Sequence, residues 1–250
     1  MRLFRWIVLG VVAALVVALF WILRIPGLSL LEDPGASISV TVPSARGRTR
    51  DFTLGPANPN WTPLSRISPA LRTCVVASED DRFYAHAGLD LVEMGRSLRT
   101  DLKEGRYARG GSTITMQLAR TLFLSREKTL RRKILEAMLA WRLEHALPKN
   151  RILELYLNVV EWGPDLRGIG AAARTYYGKP PSVLTWGESA TLAVMLPNPE
   201  RFQPSVRPLT LRRRQQRLVA RLLREGRIPA AAREEALAVP SPRILFEEME

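Results

Sequence analysis

Two neighbouring stretches carry side chains able to do chemistry together. The first closes an apolar run, Cys74-Val75-Val76-Ala77, with Glu79, Asp80 and Asp81, followed by Phe83, His86 and Gly88. The second is Arg109-Gly110-Gly111-Ser112-Thr113-Ile114-Thr115-Met116-Gln117. Apolar residues before Glu79 and like charges after it both disfavour ionisation. They would raise its carboxyl toward the range of a general base. The alternative is a solvated acidic turn at a helix end. In the second stretch, two glycines allow close backbone approach and Ser112 or Thr113 can cap the helix that follows. A helix N-terminus offers free N–H groups and partial positive charge, which suits a phosphate, although an ordinary capped helix start has the same form. No Lys-Ser/Thr pair ends the turn, so it is not a nucleotide P-loop. Acid chemistry beside a Gly-Gly-hydroxyl turn suggests a site for a sugar attached to a phosphate.

A third group runs from Ser125 to Glu136 and includes Lys128, Arg132, Lys133 and Glu136. In a helix Lys128, Arg132 and Glu136 share one face. Cations there would keep Glu136 ionised, making it an orienter of the basic groups rather than a base. The cations would then clamp a pyrophosphate, or the face is an exposed, salt-bridged one. A fourth stretch, Ile152 to Asn158, reads as core helix, with Glu154 and Asn158 supporting the site from behind.

These groups need a frame, and the apolar spacing supplies helices. Leu91, Met94, Leu98 and Leu102 recur at three and four, predicting a helix over 89–104. Further helices are expected over 113–123, 126–147, 150–159, 170–177, 186–196, 208–225 and 228–238. A Gly-rich loop (Gly163, Gly168, Gly170) interrupts them, and Ser37 to Val42 alternates like a short strand. The expectation is a mainly α chain behind a connector at 25–60 that is punctuated by Pro43, Gly47, Gly55, Pro56 and Pro59.

Trp6 to Leu23 is uncharged, apolar and flanked by Arg2, Arg5 and Arg24. As a helix it would be about 27 Å long, near the ~30 Å hydrocarbon core. Trp6 and Trp21 stand near its two ends, where interfacial aromatics belong. Gly27-Leu28-Ser29 is a poor cleavage site, so an uncleaved anchor is expected, with the N-terminus cytoplasmic. The formal net charge of +13, with only five lysines, favours anionic partners: nucleic acid, anionic lipid or phosphate substrates. Cys74 is the only cysteine and reads as a small core residue. His86 and His145 give little support for zinc.

In order, Glu79-Asp80-x-x-Phe83-x-x-His86-x-Gly88, Gly110-Gly111-Ser112-Thr113-Ile114-Thr115-x-Gln117, Arg132-Lys133-x-x-Glu136 and Ile152-Leu153-Glu154-x-Tyr156-Leu157-Asn158 resemble the motifs of family 51 glycosyltransferases, the peptidoglycan transglycosylases. Trp162-Gly163-Pro164 and Leu196-Pro197-Asn198-Pro199 are most similar to the monofunctional, membrane-anchored branch. The resemblance covers residues 61–205. It departs at Met116, where the family most often has Gln, and at Arg120 and Lys128, where Lys and Arg are common. Ser125 to Lys128 forms a Ser-x-x-Lys string, but no Ser-Asp-Asn or Lys-Thr-Gly accompanies it. With 250 residues, the resemblance implies a monofunctional enzyme, and no penicillin-binding transpeptidase domain is expected.

The resemblance implies a lysozyme-like, two-lobed helical domain over 61–240. Before it come a cytoplasmic tip and transmembrane anchor at 1–24, and after it a tail at 241–250. It implies polymerisation of lipid II into β-1,4-linked glycan strands with inversion and release of undecaprenyl pyrophosphate. Glu79 would take the proton of the acceptor hydroxyl, and Glu136 would hold the cations. Asp80, Phe83, His86, Gly110, Gly111, Ser112, Thr113, Thr115, Gln117, Arg120, Lys128, Arg132 and Lys133 would bind substrate. No cofactor is required by this scheme and no metal-ligand set is assigned, while a divalent cation would be compatible with the pyrophosphate. The partners implied are lipid II, the growing strand, the bilayer and proteins of cell-wall synthesis or division, but not nucleic acid. The location implied is the periplasmic side of a bacterial inner membrane, with a role in wall biogenesis and cell shape. A lysozyme-like glycan hydrolase and a non-catalytic scaffold are the competing classes. The basic cluster argues against the first and the acid at 79 against the second.

Overall fold

The computed structural model describes residues 28–43, 49–104, 111–125, 127 and 129–238, with a few isolated positions before 14. The expected anchor at 6–23 lies outside this range apart from those positions, as do Gly110, Lys128 and the tail at 241–250. Among the described residues no helix is long and apolar enough to cross a membrane.

Helices dominate, as the periodicity predicts. In chain order they are α1 (Leu28–Glu32), α2 (Pro69–Glu79), α3 (Leu91–Glu104), α4 (Ile114–Phe123), α5 (Leu130–Ala146), α6 (Lys149–Val159), α7 (Ile169–Tyr177), α8 (Trp186–Met195), α9 (Pro208–Arg224) and α10 (Arg233–Leu237). Strands β1 (Ile38–Pro43) and β2 (Thr49–Leu54) pair antiparallel, with Val40 opposite Phe52. A small antiparallel pair, β3 (Glu161–Gly163) and β4 (Leu166–Arg167), follows α6.

Most helix starts are written in side chains. Ser68 caps α2 with Pro69 in the first turn, where a missing N–H costs nothing. Thr185 and Glu188 form a capping box on α8. Asp90 Oδ1 accepts from the N–H groups of Val92 and Glu93, so α3 starts at Leu91 rather than 89. Thr129 is extended and accepts from Arg132 N–H, so α5 begins at Leu130. The helix expected from 126 therefore starts late, and the helical spacing from Lys128 to Arg132 does not apply. The expected helix at 228–238 is broken after Pro229 into a 3-10 turn and the short α10.

The packing has two groups of helices. In one, α2 lies against α8, and α8 against α9 and α10. In the other, α4 lies against α5, α6 and β1. A continuous apolar core joins them, and Trp162, Tyr156 and Phe83 are among its largest fully buried side chains. The stretch expected to be a connector contributes Leu31, Val42 and Leu54 to the same core. Glu154 and Asn158 support this region. Glu154 Oε2 accepts from Leu64 N–H, and Asn158 Oδ1 accepts from Thr62 N–H while its amide donates to Thr62 O. The expected Gly-rich loop is in part the β3–β4 pair. Gly170 then lies so close to the 60–62 strip that a Cβ would stand 2.2 Å from Asn60 O.

Candidate active site

Helix α2 ends at Glu79, and the backbone breaks away at Asp80 (φ −162°, ψ 76°). That break sends three consecutive carboxylates in three directions. Glu79 points inward toward α4. Asp80 turns to the start of α4, where Oδ2 accepts from Ile114 N–H at 3.0 Å and Oδ1 pairs with His86 Nε2 at 2.9 Å. Asp81 faces outward and forms ion pairs with Arg227 and, at 4.0 Å, Arg221.

Among the described residues Glu79 is held on one side only. Gln117 Nε2 donates to Glu79 Oε2 at 2.9 Å, and Tyr156 O–H donates to Gln117 Oε1 at 3.2 Å. The tyrosine bond fixes the amide orientation, because an oxygen facing Tyr156 leaves the NH₂ group for Glu79. Glu79 Oε1 is buried and accepts no hydrogen bond among the described residues. Burial pushes the Glu79 carboxyl above its ordinary range. The Gln117 bond, Arg120 and Arg214 pull it back in part, and Asp80 raises it slightly. The expected direction is found, but desolvation dominates and the like-charge neighbour is the smallest contributor.

A cationic group lies on the α4–α5 side. Glu136 is 2% exposed and receives Arg132 and, at 3.0 Å, Lys133. Lys133 Nζ also donates to Ser112 Oγ at 2.5 Å. Burial, with the positive fields of Arg120 and Arg132, lowers the Lys133 ammonium to about 8. Arg120 is exposed on α4 and acts on both sides of the site: its charge is felt by Glu79, Lys133 and Arg132. The structure thus brings together Glu79, Gln117, Arg120, Ser112, Arg132, Lys133 and Glu136.

Other expected substrate contacts are taken up by the scaffold. Phe83 is fully buried under Lys149, whose Nζ is 4.4 Å from the ring centroid. Thr115 is fully buried and donates to Glu144 Oε1 at 2.5 Å. Thr113 caps α4 by accepting from Met116 N–H, and its hydroxyl donates to Gly88 O at 2.6 Å. Gly88 itself has φ +89° with the Ala140 carbonyl beside it, a place only glycine fills without strain. With Asp80 on Ile114 and Thr113 on Met116, two of the first N–H groups of α4 are already bonded. The turn therefore has less to offer a phosphate than its sequence implies. Gly111 and Ser112 sit at its mouth, half-buried. Met116 is fully buried in place of a polar side chain. Cys74 is also fully buried, and burial pushes its thiol up to about 12, as suits a core residue.

Donor atoms of Asp80, His86 and Asp90 lie within 4.8 Å of one another. Asp80 is committed to Ile114 and His86, however, and Asp90 Oδ1 to two backbone N–H groups and Arg82. A guanidinium and helix caps already neutralise these oxygens, so they fit a divalent ion poorly.

Sequence reasoning misses two contributors. Tyr156 lies between Glu154 and Asn158 in the fourth motif but reads as plain core. Arg214 comes from α9, in a basic run with no sign of which arginine turns inward; it stacks on Phe202 at 4.0 Å and lends its field to Glu79.

A half-buried carboxylate held through one oxygen and facing a cluster of cations is an arrangement able to take a proton next to a developing anion. The chain belongs to the transglycosylase family, whose pattern matches residues 48–223. It is 39% identical over 206 residues to a biosynthetic peptidoglycan transglycosylase of Thiobacillus denitrificans, covering 80% of this chain and 88% of that one. The corresponding protein of Laribacter hongkongensis is 38% identical over 222 residues, covering 84% and 93%. Penicillin-binding protein 1A of Aquifex aeolicus is 38% identical over 239 residues, which is 93% of this chain but 33% of that longer protein.

Proposed function

We propose that this enzyme is a peptidoglycan glycosyltransferase that extends glycan strands from lipid II. The observation that carries the proposal is Glu79: half-buried, anchored through one oxygen by Gln117, with the other oxygen shielded and accepting no hydrogen bond among the described residues, and within the field of Arg120. In this scheme Glu79 accepts the proton of the acceptor 4-hydroxyl. The freed oxygen attacks the anomeric carbon of the donor and forms a β-1,4 bond with inversion. The carbon–oxygen bond to the pyrophosphate breaks, and its electron pair stays on the leaving group. Arg120, Arg132 and Lys133, the last two held by Glu136, offset that charge. Lys128 is assigned to the same group from the motif resemblance. No step requires a cofactor.

The site is placed on the outer face of the inner membrane, with 6–23 as a single-pass anchor and a lysozyme-like, two-lobed domain above it. The uncharged run in the sequence supports the anchor. The exposed Leu91 and Val92 on α3 support a surface that meets lipid. Cell-wall synthesis or division proteins are the proposed partners.

The test is the full chain incubated with lipid II, with and without a divalent ion, and products sized. Strand growth is expected, and Glu79→Gln should lower turnover by ~10²–10⁴. Cleavage of finished glycan without strand growth would assign the chain to the hydrolases. Near-wild-type polymerisation by Glu79→Gln would remove Glu79 as the base.

A further inference from the structure

An apolar groove of about 400 Å³ lies at the far end of α4, away from the Asp80 cap. It is lined by Leu30 and Leu31 of α1, Ile38 and Val40 of β1, and Leu122 and Phe123 of α4. That volume is ordinary for a ligand site, and the lining is mainly apolar, with Ser39 its one polar side chain among the described residues. The mechanism above makes no use of it.

Two observations identify what fits there. The first is adjacency to the cations. Arg120 and Phe123 are three residues apart on α4, about 4.5 Å along its axis, and share one face. A ligand with its anionic head on Arg120 therefore meets the apolar rim within one helical turn. The second is the position of the groove along the chain. Leu30 follows Leu23, the last residue of the uncharged run, by seven residues, which span at most about 25 Å. If that run crosses the bilayer, the groove stands within reach of the lipid surface. A pyrophosphate carrying a hydrocarbon chain matches both ends of this arrangement, and neither a sugar nor a peptide does.

We infer that the groove between α1, β1 and the C-terminal end of α4 seats the first isoprenoid units of the lipid-linked pyrophosphate whose head rests on Arg120, Arg132 and Lys133. The inference rests on the proposed glycosyltransferase function and adds to it a chain-binding subsite. Such a subsite pays part of the cost of lifting the lipid head from the membrane. It also sets which chain the enzyme prefers next to the pyrophosphate.

The experiment uses the full chain in nanodiscs, with empty discs as the control. Binding of inorganic pyrophosphate is compared with that of ten- and fifteen-carbon prenyl diphosphates. At least a tenfold gain from pyrophosphate to the fifteen-carbon compound is expected. Leu30→Asp puts a charge on the rim at a residue already 47% exposed, so the fold should tolerate it. Val40→Trp fills the groove from a half-buried position. Both variants should lose most of the chain-length gain and keep pyrophosphate binding within about twofold. Retention of the full gain in both would overturn the inference. In parallel, a benzophenone amino acid replaces Ser39, which also lines the groove. Its cross-link to the fifteen-carbon diphosphate supports the assignment. A cross-link to residues 1–27 or to a second copy of the chain would overturn it. Failure of pyrophosphate itself to bind would count against the cation clamp, while the cross-link still reports on the groove.

Discussion

Replacing Gln117 by Leu separates two roles that the motif alone leaves merged: contact with substrate and control of the base. The substitution keeps the volume and removes the amide. Glu79 Oε2 then loses the hydrogen bond from Gln117, and that bond is the largest influence opposing the effect of burial. A hydrogen bond to a charged group is worth about 1.5–3 kcal/mol net, and one pKa unit corresponds to 1.36 kcal/mol. The Glu79 carboxyl should therefore rise further. Below its pKa the rate follows the ionised fraction, so kcat/KM on the acidic limb should drop about ten- to a hundredfold. At higher pH, where the carboxylate is restored, most of the loss should disappear. The measurement is kcat/KM for lipid II polymerisation against pH in both proteins, since this ratio reports ionisations of the free enzyme. Losing the acceptor for Tyr156 O–H also costs about 1–3 kcal/mol of stability, so assays belong well below the melting temperature. An acidic limb that stays in place while the plateau falls would refute the reasoning and make Gln117 a substrate contact.

Lys133, lowered to about 8, should give the wild type an alkaline fall in activity near that pH as the ammonium is lost. Lys133→Arg keeps the charge at any accessible pH, so this limb should vanish from its profile if the variant turns over at all. Glu79 also makes a stability prediction. Its carboxyl is raised in the folded state, so the folded protein holds the proton more tightly, and stability falls as pH rises through that range. Glu79→Gln should therefore melt higher than wild type at pH 7–8, with the difference shrinking toward pH 4. A constant difference, or a lower melting temperature at pH 7–8, would contradict this account of Glu79.

Much of the site could be read from the chain because the motifs sit on separate elements that converge. The structure brings Glu79, Gln117 and the Arg132–Lys133–Glu136 group together, and within that group Arg132 and Glu136 share a helix face as their spacing suggested. The sequence was less informative where one residue type serves two purposes. Thr115 and Phe83 carry the same motif weight as Gln117, yet they face the Glu144–Lys149 side and are buried. The direction of a side chain on α4 depends on which neighbour packs there, and the period of the helix does not state that. Arg214 was hidden for the opposite reason. Arg212, Arg213 and Arg214 are consecutive on α9, and only packing of α9 on α8 brings the charge of one of them to bear on Glu79. Strand β2 was missed because Arg50 and Asp51 interrupt it. Exposed Thr49, Asp51 and Thr53 alternate with half-buried Arg50 and Phe52, a pattern that makes sense only once β1 is beside it.

In the proposed scheme, helix α4 makes the base and the anion clamp one unit. Its start is tied to Asp80 through Ile114 N–H, so it is fixed to the residue next to the base. One turn in, Gln117 holds the base itself. Three residues further on, Arg120 reaches both Glu79 and Lys133 through its field. A short helix gripped at its N-terminus and packed on α5 and α6 cannot shift one of these groups without the others. Burial makes Glu79 harder to ionise, and Arg120 counters that while also facing the leaving group. The same cation thus favours the charged base before the reaction and the anion formed after it. When the proton moves to Glu79 and negative charge appears on the pyrophosphate, Arg120 loses one anionic neighbour and gains another. The site is balanced for that exchange, and the balance depends on α4 keeping its register against Asp80.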